Sequence, residues 1–496
     1  MTDELTRLAN GVLWPGFLGT QAPSWLTEEL QNGLAGVVYF AQNMGPDVAA
    51  LSAELRAANP RVLIGVDEEG GSVTRLEAGS GSTLPGAAQL GVLNDLAATR
   101  ATGAELARRV AAAGANVVLA PVADVNTDPR NPVIGVRAFG SDTEEVSAHV
   151  VASVEGIQGG GIAACVKHFP GHGDTHLDSH HALPSIDLTP AEIERDHLPP
   201  FRAAIAAGVD SIMTAHIVVP AWGEQPATLN ADVLGMLRRD GFEGVIITDA
   251  LDMAAIRESV GIGGGAAQAL IAGVDLICIG NPTNPGPAML PDQDERDFHA
   301  ARDGILAALR DGSLSRERLE EAVARVARLG EKLAAAEVAQ SEVLDAAEIV
   351  ARALSVQGAL PAASASALSV IDARTRSTLA VDSAAAYVGE TLAEGGFRVR
   401  VDTTEVSPEE TSAAIAEAVR VASERDLQVI ALVDRLHSSA AQRDLVAQVA
   451  LAASDAVVVN VGLASAQTEL PLPLLDVRAA SRIGAAVARE RLIGAS

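Results

Sequence analysis

The chain has 496 residues, enough for two or three domains with large cores, and its 64 acidic side chains against 36 basic ones give a net charge of −28. So acidic a surface excludes the phosphate attraction that nucleic-acid or anionic-membrane binding needs, and is expected to serve solubility. The N-terminal stretch MTDELTRLANGVLWPGF lacks a basic segment followed by an apolar core, and no uninterrupted apolar run reaches about 18 residues. With Cys165 and Cys278 inside apolar runs, where they read as small core residues, the expected setting is a reducing cytoplasm.

Short runs rich in Val and Ile recur through the first 280 residues: 12–17 (VLWPGF), 36–40 (GVVYF), 62–67 (VLIGVD), 117–122 (VVLAPV), 163–169 (AACVKHF), 211–217 (SIMTAHI), 245–250 (VIITDA) and 276–280 (LICIG). Helix-like stretches such as DVAALSAELRAAN and TEEVSAHVVASVEGIQ separate most of them, and glycines follow several of the helical ends. Near-continuous apolar strands alternating with helices indicate parallel strands covered by helices. Eight such units predict a closed (β/α)8 barrel of the TIM type.

After Gly280 the pattern changes to charged, helical sequence, with Gly312 and Ser313 separating two helices. The runs ALSVIDA, FRVRVD, LQVIALV and AVVVNVG then alternate with helical segments, which predicts a smaller αβα sandwich. The expected division is a barrel with its helical connection at 1–335, a linker helix at 336–359 and the sandwich at 360–496. No GxGxxG follows the first sandwich strand, so no dinucleotide site is expected there.

The stretch Lys167–His181 reads KHFPGHGDTHLDSHH and holds five of the ten histidines. His168, His172, His176 and His180 are four apart, a spacing that on a helix would gather imidazoles around a metal. Pro170, Gly171 and Gly173 oppose that helix, so the stretch reads as a loop after a strand, and neither a metal nor any other cofactor is expected.

In a (β/α)8 barrel the chemistry lies at the carboxyl ends of the strands. Those ends carry Asp67, followed by Glu68 and Glu69, then Asp124 and Arg137, Lys167 and His168, His216, and Asp249. Asp124 taken alone reads as a helix cap. Asp249 does not, because a carboxylate closing so apolar a strand is costly to bury without a role.

The segments GVDEEGGSVTRL, NPVIGVRAFGSD, KHFPGHGDTHLDSH and VIITDALDM resemble, in order and spacing, glycoside hydrolase family 3, in the bacterial branch that holds β-N-acetylglucosaminidases. The sandwich resembles the family's second domain more weakly. The resemblance implies a retaining β-glycosidase. Asp249 would be the nucleophile, His180 the acid/base, and Asp178 the carboxylate that orients its imidazole. Asp67, Arg137, Lys167 and His168 would bind sugar hydroxyls, with His172 and His216 nearby as sugar or loop contacts. His176 and His181 flank the dyad at positions variable in the family.

The chemistry fits these residue types. A retaining glycosidase needs a nucleophile and a proton donor on opposite sides of the anomeric carbon. A histidine two residues from an aspartate can protonate the leaving oxygen and then accept a proton from the incoming group. Once neutral, it does not repel an anion, whereas a carboxylate about 4 Å away would do so by roughly 4 kcal/mol at an effective dielectric of about 20. The dyad therefore admits inorganic phosphate as a co-substrate beside water. The expected function is cleavage of β-N-acetylglucosaminides or β-glucosides, with transfer to phosphate, to water or to both. The alternatives are a plain cytoplasmic β-N-acetylglucosaminidase of cell-wall recycling, or a sugar-binding protein on an inactive barrel. The expected partner is a small carbohydrate, with no nucleic acid and no membrane.

Overall fold

The computed structural model describes residues 2–175, 184–339, 343–362, 365–375, 385–403, 405–464 and 470–494. They form two compact units. The first comprises Met1–Glu68, Thr99–Val125 and Ser141–Val343; the second comprises Glu69–Ala98, Asn126–Gly140 and Leu344–Ser496.

The first unit is the expected barrel. Its strands are β1 (Leu13–Pro15), β2 (Gly36–Tyr39), β3 (Leu63–Val66), β4 (Val117–Val118), β5 (Ala163–Phe169), β6 (Ser211–Thr214), β7 (Val245–Ile247) and β8 (Ile277–Gly280). Strands β2 to β7 pair in sequence order as a parallel sheet, β8 pairs with β1, and a parallel bridge from Ile247 to Leu276 joins the two pieces. At the remaining seam the Ala35 amide donates to Asn10 O at 3.0 Å.

Side chains from all eight strands meet inside, among them Trp14, Val38, Leu63, Val117, Cys165, Met213, Val245 and Cys278. Alternate residues on a strand point to the same side, so these apolar positions fill the interior. Trp14 donates its indole N–H to Leu63 O at 2.8 Å. Its ring lies where a Cβ on Gly65 would come within 2.2 Å, so that strand position must be glycine. The helix Arg316–Ala334 packs Val326, Leu329 and Leu333 onto the same cluster.

The fourth strand is shorter than the run 117–122 suggests. It ends at Val118; beyond it the Cys165 amide still donates to Ala120 O at 3.0 Å and the Lys167 amide to Pro121 O at 3.1 Å, and a bridge pairs Val122 with Lys167. Pro121, which has no amide donor, interrupts the ladder.

The second unit holds a six-stranded sheet of β9 (Ser355–Gln357), β10 (Leu368–Asp372), β11 (Phe397–Arg400), β12 (Gln428–Val433), β13 (Val457–Asn460) and β14 (Leu474–Asp476), in the order β11-β10-β12-β13-β14-β9. All neighbours are parallel except β14 and β9. One face buries Ile371, Ala431 and Val458 against the helices Pro408–Arg425 and Ala440–Ala452. The other buries Val370, Leu432 and Val459 against Ala386–Leu392 and Arg482–Ile493. The sandwich is therefore three-layered.

Four of these strands are the predicted runs. β9 and β14 are additional, and both are only three residues long, with Pro471 and Pro473 masking the second in the sequence.

Candidate active site

The strand ends of the barrel bring the predicted polar residues together in three groups. In the first, Lys167, near the end of β5, donates from Nζ to Asp67 Oδ1 at 2.6 Å, just past β3. The lysine side chain is 3% exposed and that of Asp67 15%. An ion pair so nearly dry, with the carboxylate at its more open end, presents fixed acceptors and donors to hydroxyl groups.

The second group centres on Asp124, which is fully buried. Its Oδ2 lies 2.8 Å from His168 Nδ1, and its Oδ1 accepts from the His168 amide at 3.3 Å and the His172 amide at 2.6 Å. Burial would raise its pKa, but His168, His172 and these donors hold the carboxyl below the usual carboxylate range. Asp124 is thus not a helix cap. It ties the end of β5 to the loop that follows, and its position after an apolar run, like that of Asp249, was the signal for it. His168 stands on β5 and His172 in the loop, so their spacing of four reflects no helix. His172 is fully buried, with Nδ1 2.8 Å from Thr175 Oγ1, and burial pulls its pKa down to about 4.

The third group surrounds Asp249, two residues beyond β7 and half-buried. Its Oδ1 accepts from the Ala250 amide at 2.8 Å. The preceding strand end is fixed by Thr248 Oγ1, which accepts from the Cys278 amide at 2.9 Å. His216 Nε2 donates to Ala250 O at 3.0 Å, and its Nδ1 faces Thr228 Oγ1 at 2.9 Å. His216 is therefore a fully buried anchor for the peptide that follows Asp249.

These groups share one mouth. The charge of Asp249 acts on His172. Burial pushes the Cys165 thiol up to about 12, and Lys167, Asp67 and Asp249 all bear on it electrostatically from the same end of β5.

Two carboxyl groups that the sequence did not single out complete the picture. Asp252, three residues past Asp249, is buried, and burial pushes its pKa up to about 7. It accepts from Asn284 Nδ2 at 2.5 Å, which links the loop after β7 to the loop after β8. In the second unit, Glu69 takes Arg137 in a two-point clamp, with Nε to Oε2 at 2.9 Å and Nη2 to Oε1 at 2.7 Å. Arg137 also donates to Val133 O at 3.1 Å and is 4% exposed, so its guanidinium is fixed in one orientation. Asp178 and His180, with His176 and His181, lie outside the described residues. No helix among the described residues is long and apolar enough to cross a membrane.

Known proteins resemble this chain in sequence and in fold. The profile of the "Glycosyl hydrolase family 3 N terminal domain" matches residues 21–329. A beta-hexosaminidase of Xylella fastidiosa (strain 9a5c) is 36% identical over 326 residues, covering 61% of this chain and 95% of that protein. Beta-hexosaminidase A of Pseudoalteromonas piscicida is 32% identical over 343 residues, covering 63% of this chain; the match spans 56% of the relative's length. The structure of a glycoside hydrolase family 3 beta-N-acetylglucosaminidase from Paenibacillus sp. str. FPU-7 superposes with a TM-score of 0.83 at 29% identity, covering 99% of this chain and 96% of that one. The chain belongs to glycoside hydrolase family 3, a family of glycoside-cleaving enzymes.

Proposed function

We propose that the protein cleaves β-N-acetylglucosaminides by double displacement, with Asp249 as nucleophile. The observation that carries this reading is the placement of Asp249: half-buried at the end of β7, one oxygen held by the Ala250 amide, at the mouth that Lys167 and Asp67 share. A carboxylate so fixed is oriented for attack on an anomeric carbon, and the Lys167–Asp67 pair offers hydroxyl contacts beside it. The beta-hexosaminidase relatives and the beta-N-acetylglucosaminidase structure support the 2-acetamido sugar over glucose.

His180, oriented by Asp178, supplies the proton for the leaving oxygen in this reading. Being neutral afterwards, it admits phosphate as well as water to the glycosyl-enzyme. The setting remains the cytoplasm, where phosphate is at hand.

One reaction series tests the reading. Aryl β-N-acetylglucosaminide and aryl β-glucoside are each incubated with and without phosphate, and the products are separated by charge and assigned by anomer. Attack by Asp249 and then by the acceptor inverts the carbon twice, so the first product formed is β-configured. An α-product contradicts double displacement. Faster turnover of the glucoside overturns the sugar assignment, and free sugar at every phosphate concentration leaves a plain hydrolase.

A further inference from the structure

Asp252 lies buried three residues past Asp249 and takes no direct part in the double displacement. The turn between the two is tied to the last strand of the barrel by its backbone. The Leu251 amide donates to Cys278 O at 3.0 Å and the Asp252 amide to Ile279 O at 3.1 Å, while the Met253 amide closes the turn on Ala250 O at 3.2 Å. Ala250 O also receives His216 Nε2, and the Ala250 amide holds Asp249 Oδ1. The peptide that orients the nucleophile is therefore one side of a small hydrogen-bonded turn, and Asp252 stands on the other.

The Asp252 side chain extends that hold to further strand ends. Its Oδ2 accepts from Asn284 Nδ2, and its Oδ1 lies so close to the backbone of Gly280, the last residue of β8, that a Cβ there would fall 1.8 Å from it. The Asn284 amide donates to Asn281 O at 3.0 Å. Asn281 Oδ1 accepts from Gln42 Nε2, beyond β2, at 2.9 Å, and the same nitrogen reaches Phe17 O, beyond β1, at 3.4 Å. One carboxyl thus joins the nucleophile's turn to a girdle of loops that follow β8, β2 and β1. A carboxyl is costly to bury where an apolar side chain could fill the space. What it adds is direction, a hydrogen bond that sets the turn against the loop after β8.

We propose that Asp252 is a positioning residue for the reaction, holding the Asp249–Ala250 peptide in its attacking orientation by anchoring the turn to Asn284. The proposal rests on the reading of Asp249 as nucleophile. Displacement of a reacting group by about 1 Å costs on the order of a hundredfold in rate, so slack in this anchor slows the attack. Sugar binding is left to the Lys167–Asp67 pair, which the anchor does not touch.

The test follows the rate at which an activated aryl 2-deoxy-2-fluoro β-glycoside adds a sugar to the full chain, by intact mass, with the labelled residue identified after digestion. Unfolded protein lowers the final extent of labelling, whereas a misplaced nucleophile lowers its rate. The expected result is a maximal rate at least tenfold lower in both Asp252→Ala and Asn284→Ala, with the half-saturating concentration changed less than twofold. The double variant should be no slower than the slower single one, because both remove the same anchor. Asp252→Asn, which keeps an acceptor for Asn284, should recover most of the rate. Should Asp252→Ala fail to fold, Asn284→Ala decides alone. Labelling of Asp249 at the parent rate in the Ala variants overturns the proposal and leaves the nucleophile in place, as does a loss confined to the half-saturating concentration. A parent labelled at another residue overturns the nucleophile reading and the proposal with it.

Discussion

Asp124 Oδ2 lies 2.8 Å from His168 Nδ1, and the other oxygen of the same carboxylate accepts from the backbone of His172 four residues further on. One buried charge thus fixes both the end of β5 and the start of the segment that follows it. Replacing it with Ala leaves His168 and two amides unpaired in a dry site, a loss of roughly 3–5 kcal/mol. We expect Asp124→Ala to lower the melting temperature by many degrees, and Asp124→Asn to retain the fold with at least tenfold lower kcat. Thermal unfolding and kinetics check both. An Asp124→Asn enzyme of full activity would reduce the aspartate to a structural plug.

His172 gives a pH signature. Its folded pKa is about 4, below the ordinary value of 6.5. The unfolded chain therefore takes up a proton first as pH falls, and the stability that neutral His172 contributes is complete above pH 6.5 and lost progressively toward pH 4. The loss between pH 7 and 5 is on the order of 2 kcal/mol. Urea unfolding at the two values should show a smaller drop for His172→Gln than for the parent. Equal drops would contradict the buried neutral imidazole.

Asp252 has the opposite sign. Its folded pKa is raised to about 7, so the fold holds a proton that the unfolded chain releases above pH 4, and stability falls as pH rises toward 7. Asp252→Asn keeps an acceptor for Asn284 without the proton. It should gain on the parent by on the order of 2 kcal/mol between pH 5 and pH 8. A difference independent of pH would show that Asp252 is ionised in the fold.

Lys167 and Asp67 act as a unit, being 2.6 Å apart and nearly dry. We expect Lys167→Ala and Asp67→Ala each to lower kcat/KM at least a hundredfold, with the double variant losing far less than the product of the two. Steady-state kinetics on an aryl β-N-acetylglucosaminide measures the coupling. Strictly multiplicative losses would mean that the two side chains contact the substrate independently.

The barrel was legible because its strands are buried on both faces and read as unbroken apolar runs, while polar residues at the run ends marked the mouth. Asp67, Lys167, His168, His216 and Asp249 all emerge at those ends. Asp124 was read as a cap because a carboxylate after a strand has that ordinary use, and only the fold brings His168 and the His172 amide to it. The clamp of Arg137 by Glu69 was hidden for a similar reason: the residues are 68 positions apart. β9 and β14 were missed because three residues give no periodicity to read. Asp252 carried no signal, since its burial depends on the loop after β8.

The central claim is that Asp249 forms the covalent glycosyl-enzyme. A 2-deoxy-2-fluoro β-glycoside with a good leaving group should trap that species, because the fluorine destabilises the transition states of both its formation and its release, while the activated leaving group restores only the rate of formation. Digestion and mass spectrometry should then find a single added sugar on the peptide containing VIITDALDM, fragmenting to Asp249 and absent from Asp249→Ala. A sugar on any other residue, or turnover by Asp249→Ala at the parent rate, would contradict the account.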